Sequence, residues 1–231
     1  MQETGGLIVK RPQPTCLRIL GLGLATFCLA AAVSAAQAQG PAFEEAFATR
    51  SEPPALHYQA IFSTKGSEHR LEVWRDGDKL KRSTDEAIDT YVFRQPGSAE
   101  FQMSIMDRKK KTHTLVGRTS LYRIGNFTDW FDLAHGLKHP VGAYRIVEAQ
   151  APHGAPKAAM DCQWYDLSQN NHTTHICWNV GSGLPLVIQA ESGEVVWKLV
   201  SVDAKPIPAK TFEIHDEGYI LNNANEDIVG D

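Results

Sequence analysis

Histidines, cysteines and scattered carboxylates are the residues of this 231-residue chain that could do chemistry, and their spacing decides which chemistry is open. His135 and His139 stand at i and i+4, an interval that puts two imidazoles on one helix face and suits a divalent metal. The intervening Gly136-Leu137-Lys138 carries no carboxylate, and Pro140 follows at once. Histidines favoured by the dipole at a helix C-terminus are therefore the preferred reading. His172 and His175 fall on opposite faces of a strand and cannot chelate jointly, so turn polarity accounts for them better. Asp161, Asp166 and His175 are not expected to converge on one face. Gly181-Ser182-Gly183 lacks the G-x-S-x-G spacing of a nucleophile elbow, and the chain has neither a Gly-rich phosphate loop nor H-E-x-x-H. The expectation is a non-enzymatic protein with no catalytic residue, no metal and no cofactor.

The cysteines are more informative. Cys16 and Cys28 belong to the first 38 residues, which leaves Cys162 and Cys177. A hairpin over Met160–Leu167 and His172–Val180, turning at Gln169-Asn170, sets Ser168 opposite Asn171 and Cys162 opposite Cys177. Directly opposed Cα atoms lie about 4.5–5.5 Å apart, inside the window for a disulfide. The same register sets Trp164 opposite His175 and Asp166 opposite Thr173. A redox-active pair would instead be close-spaced at a helix start, so a structural disulfide is expected.

Residues 1–38 have the pattern of an export signal. Lys10, Arg11 and Arg18 precede the uncharged apolar run Ile19 to Val33, and Ala36-Gln37-Ala38 fits a small-x-small cleavage site. An uncleaved anchor is the competing reading, but a spanning helix needs about 20 residues and this run is shorter. Cleavage after Ala38 predicts a periplasmic or secreted protein, in an oxidising compartment that permits the disulfide. Residues 39–55 then form an N-terminal segment and 56–231 a single domain. With 23 Lys+Arg against 27 Asp+Glu, a net charge of -4, the chain is not built to neutralise a nucleic-acid backbone. The basic run Arg108-Lys109-Lys110-Lys111 could touch anionic headgroups, though a solvated hairpin tip explains it more simply.

Positioning falls to short strands. Phe43, Ala46 and Phe47 share one face of a short helix that ends before Pro53-Pro54. From Leu56 the pattern switches to period two, with Leu56, Tyr58, Ala60 and Phe62 on one side. Alternating runs recur near Leu71, Leu80, Ile88–Arg94, Phe101–Ile105, His113–Arg118, Ala143–Glu148, the cysteine hairpin, Leu184–Ala190 and Val195–Val202, with Gly-containing turns between several of them. One helix is expected, capped near Asn126–Asp129, striped by Trp130, Phe131, Leu133, Ala134 and Leu137, and ending near residue 139. Ten or eleven strands and one helix predict a mainly β fold, a curved antiparallel sheet forming an unclosed half-barrel.

Several segments carry a family likeness: Tyr58-Gln59-Ala60-Ile61-Phe62, Trp74-Arg75-Asp76-Gly77-Asp78-Lys79-Leu80-Lys81-Arg82, Tyr91-Val92-Phe93, Cys177-Trp178, Gly183-Leu184-Pro185-Leu186-Val187-Ile188, Gly193-Glu194-Val195-Val196-Trp197, and the tail from Ile207 to Tyr219. In this order they resemble the LolA-like and RseB-like half-barrels of the outer-membrane lipoprotein carrier superfamily, over most of residues 56–220. The resemblance implies a concave side capped by helix, able to hold acyl chains or a partner peptide. The cavity candidates are Phe62, Val73, Tyr91, Trp130, Phe131, Leu133, Trp178 and Trp197, with the helix bearing Trp130 and Phe131 as lid. The competing account makes these side chains ordinary aromatic core. The expected partner is a hydrophobic small molecule, lipid or lipoprotein, with an RseB-like adaptor role toward an envelope protein as the alternative.

Overall fold

A computed structural model describes residues 40–158 and 160–227; the expected export signal and its expected cleavage after Ala38 lie outside them. Helix α1 (Phe43–Ala46) leads into β1 (Ala55–Thr64), β2 (Ser67–Asp76), β3 (Lys79–Thr84), β4 (Ile88–Arg94), β5 (Phe101–Asp107) and β6 (Thr112–Gly117). Helices α2 (Arg118–Arg123) and α3 (Trp130–His135) precede β7 (Arg145–Ala149), β8 (Gln163–Gln169), β9 (His172–Asn179), β10 (Leu184–Ala190) and β11 (Val195–Asp203). A 3-10 turn at Ala209–Phe212, β12 (Ile220–Asn223) and α4 (Ala224–Asp227) follow.

All strands join one sheet in the order β12-β6-β5-β4-β3-β2-β1-β11-β10-β9-β8-β7. Its ends do not meet, so the barrel is unclosed. Two meanders, β1 to β6 and β7 to β11, meet where β1 pairs with β11. The inward phase is the one that period-two alternation predicts: Leu56, Tyr58 and Ala60 of β1, Leu71 and Val73 of β2, Leu80 of β3 and Val92 of β4 are all buried. Burying each of these leucines and valines stabilises the fold by about 1.5–3 kcal/mol. No helix among the described residues is long and apolar enough to cross a membrane.

Three details depart from the sequence expectation. The sheet has twelve strands, because Ile220–Asn223 adds to β6 in parallel. The helical region is two short helices rather than one, since the chain turns helical directly after β6 and Gly136, in the left-handed region at φ 69, stops α3 at His135. The cysteine hairpin turns at Asn170-Asn171, both at positive φ, so Gln169 pairs with His172, and Cys177 faces Trp164. A two-residue hairpin turn of this kind needs two left-handed residues, which asparagine adopts more readily than glutamine. Cys162 lies just before β8, diagonal to Cys177, and the disulfide still closes with Cα atoms 5.4 Å apart.

Candidate functional site

Helix α3 is held over the inner face by its own chemistry. Asp129 caps it and accepts the Trp130 amide at 2.9 Å, and Asp132 completes a capping box by accepting the Asp129 amide at 3.2 Å. The His139 amide donates to the other Asp132 oxygen at 2.8 Å, folding the following segment back on the helix. From below, the Tyr58 hydroxyl donates to the Ala134 carbonyl at 3.3 Å. Burial pushes that phenol up to about 12.

Between α3 and the sheet lies a hollow of about 620 Å³, within the usual range of small-molecule sites. Phe62, Leu71, Leu133 and Trp197 supply apolar wall; Ser63, Thr64 and Thr128 supply hydroxyls; Arg82, Asp132 and Lys138 supply charge. Phe62 and Trp197 are direct cross-strand partners on β1 and β11, so the hollow straddles the junction of the two meanders. The Trp197 indole is fixed by donating to the Pro185 carbonyl at 2.9 Å. Burial raises the Asp132 carboxyl above its ordinary range, although the His139 and Asp129 amides oppose the shift.

Of the eight cavity candidates, Phe62, Leu133 and Trp197 line this hollow. Val73 is fully buried in the core beside it. Phe131 and Trp178 lie deeper, in a packed aromatic cluster. Phe43 meets Phe131 at 5.3 Å, Phe47 meets Trp178 at 5.3 Å, and Phe131 stacks on Trp178 at 6.1 Å. The space beneath that part of α3 is thus occupied by the chain's own α1. Trp130 sits under the Arg94 guanidinium, 4.4 Å from the ring centroid. Tyr91 points away from the cavity, a correction to its sequence assignment. Its neighbour Val92 pairs with Leu80 and Met103 in the core, so alternation sends Tyr91 to the outer face. There Lys81 lies between the Tyr91 and Trp74 rings, at 5.2 and 5.3 Å.

Beside the aromatic cluster, three polar side chains tie the N-terminal segment to the sheet and helix. Arg75 Nη1 lies 3.0 Å from Glu52 Oε2, and His135 Nε2 lies 2.8 Å from the same oxygen. His135 Nδ1 donates to the Phe131 carbonyl at 3.0 Å, while Arg75 Nη1 lies 2.6 Å from Nε2. Arg75 is 3% exposed and its Nη2 has no partner among the described residues. His139 turns elsewhere, to Glu44 at 3.1 Å, so the two histidines do not share a ligand position. His175 and Asp166, which the sequence register had kept apart, face each other and bond at 2.7 Å.

Arg82, Asp132 and Lys138 are the charged residues of the hollow that sequence reasoning missed. For Arg82 a signal existed, because it follows Leu80 by two residues on β3 and shares its inward phase. A second cleft of about 540 Å³ includes the outer-face residues Gln59, Glu72, Asp85 and Arg108. Several of its charges are already paired, as where Glu72 takes His57 at 2.8 Å and Gln59 at 3.2 Å.

No protein-family model matches this chain, and no curated protein matches it either. Among solved structures, it is similar to the crystal structure of MucB, at 15% identity and a TM-score of 0.40. That match covers 76% of this chain and 62% of the MucB chain, so this chain spans less than two thirds of the length of that neighbour.

Proposed function

We propose that this chain is a non-enzymatic, periplasmic binding protein that holds a lipid-like or hydrophobic ligand between α3 and the inner face of its half-barrel. The observation that carries the reading is the hollow of about 620 Å³ beside α3, walled by Phe62, Leu71, Leu133 and Trp197. Contact with such walls gives about 0.8 kcal/mol per methylene buried, enough for a chain of ordinary acyl length to bind without a covalent tether. The export-signal pattern read in residues 1–38 supports the compartment.

The test is native mass spectrometry of the purified protein, followed by titration with the neutral dye Nile red. Leu133→Phe fills the hollow from the helix side and should abolish dye uptake while the fold, read by circular dichroism, stays intact. Unchanged uptake in a folded Leu133→Phe protein overturns this location.

An adaptor role toward an envelope protein is the second reading. It is supported by β12, an edge strand that leaves Ile220 and Leu221 70% and 61% exposed, where a partner strand could add. Stoichiometric recovery of one envelope protein, lost on Leu221→Lys, would favour it.

A further inference from the structure

Three arginines, Arg75, Arg82 and Arg94, follow the inward phase of their strands, and two of them have an acid. Arg75 meets Glu52 at 3.0 Å, and Arg94 meets Asp78 at 2.8 Å. Arg82 stands at the wall of the hollow with no hydrogen bond and no ion pair for its guanidinium among the described residues. Asp132 lines the same hollow but makes no bond to it. Asp132 cannot turn to it without cost, because each of its oxygens already accepts a backbone amide. Burial disfavours the Arg82 charge and lowers its pKa from the ordinary value. A guanidinium carries five N–H donors in a planar fork that matches a carboxylate or phosphate. Lys138 adds an exposed positive charge at the same hollow, and Phe62, Leu71 and Leu133 supply its apolar side.

The geometry points to a single-headed anionic amphiphile as the ligand, an acyl chain ending in a carboxylate or a phosphate, with its head on Arg82 and its tail along Phe62, Leu71 and Leu133. This inference deepens the binding reading above and rests on it. The anionic head supplies the acceptor that Arg82 lacks, a charge-assisted interaction about twice as strong as a neutral hydrogen bond.

The experiment displaces Nile red from the purified protein with hexadecanoate, hexadecanol and hexadecyl phosphate, each below its aggregation concentration. The better of the two anions should bind about tenfold or more tightly than the alcohol, the ratio expected of a hydrogen bond to a charged group. Arg82→Ala should bring that ratio near one, and Arg82→Lys should retain part of it. Preference for the phosphate identifies a phospholipid-type head, and preference for the carboxylate a free fatty acid. Equal binding of anion and alcohol by the unmodified protein overturns the inference while leaving a hydrophobic site. A ratio that survives Arg82→Ala overturns the assignment to Arg82. Failure of all three compounds to displace the dye overturns the binding function itself. If Arg82→Ala does not fold, the unmodified protein still decides, since its preference for the anion should shrink as salt is added.

Discussion

Gly136 lies against the indole of Trp197 so closely that a Cβ on residue 136 would collide with the ring. The same residue holds φ 69 to end α3. One position therefore both stops the helix and seats it on the wall of the hollow. Gly136→Ala meets both penalties, left-handed strain and overpacking against a fixed ring. The expected loss is about 2–4 kcal/mol of unfolding free energy, read by urea titration. A midpoint equal to that of the parent would show that α3 can lift from Trp197 freely.

Asp132 gives the fold a pH dependence of defined sign. Burial raises its carboxyl in the folded state, so the native protein binds a proton more tightly than the unfolded chain. Its stabilising contribution is complete below the unfolded pKa and is lost as pH rises through the folded one. Asp132→Asn removes that dependence and keeps an acceptor for one of the two backbone amides. Denaturation of both proteins from about pH 4 to pH 7 should show the variant gaining on the parent as pH rises. A constant gap would refute the assignment.

Glu52 is the acid that Arg75 and His135 share. Glu52→Ala leaves Arg75, 3% exposed, without its carboxylate. Breaking a fully buried pair costs about 3–5 kcal/mol, and because Glu52 keeps 26% of its side-chain surface in solvent, a loss of about 2 kcal/mol is expected. Limited proteolysis should then cut near residues 43–52 before it reaches the sheet. Cutting first within a strand would mean that Glu52 does not tether this segment.

Cys162→Ser opens a loop of sequence separation 15, worth about 3 kcal/mol in the chain-entropy model. The disulfide belongs to the second meander and lies outside the residues lining the hollow, so dye affinity should hold at temperatures where both proteins are folded. A variant that melts with the parent counts against the bridge; one that folds but no longer takes up dye places the hairpin in the site.

Phe47 is 1% exposed and packs on Trp178 and Tyr165. Phe47→Ala should cost about 3–5 kcal/mol and shift tryptophan emission to the red as water reaches Trp178. An unshifted spectrum would mean that α1 does not seal this cluster.

The strands could be read from the sequence because one face is buried: Leu56, Tyr58 and Ala60 recur at period two, and all three are buried. Strand β12 gave no such signal. Ile220, Leu221 and Asn222 are all exposed, and its pairing with β6 is a matter of backbone rather than of side-chain pattern. The hairpin turns one residue later than the sequence reading places it, which shifts every cross-strand pair by two, because the register depends on which residues at the turn take positive φ, and Gln169-Asn170 and Asn170-Asn171 differ little in composition. The aromatic residues were visible as a group, but alternation alone had to divide Tyr91 from Val92. Arg82 was hidden for the opposite reason, since a charged residue at an inward position argues against burial unless something answers its charge.

Phe62 and Trp197 come from segments more than a hundred residues apart and meet only where the first meander joins the second. Each meander can assemble from sequence neighbours, but the pocket is a property of neither alone. A guest that bridges them would act as a rivet across the seam between them, holding the two halves together rather than tightening either one. Two separately produced fragments, cut between β6 and β7, should therefore reassociate more readily with the guest than without it.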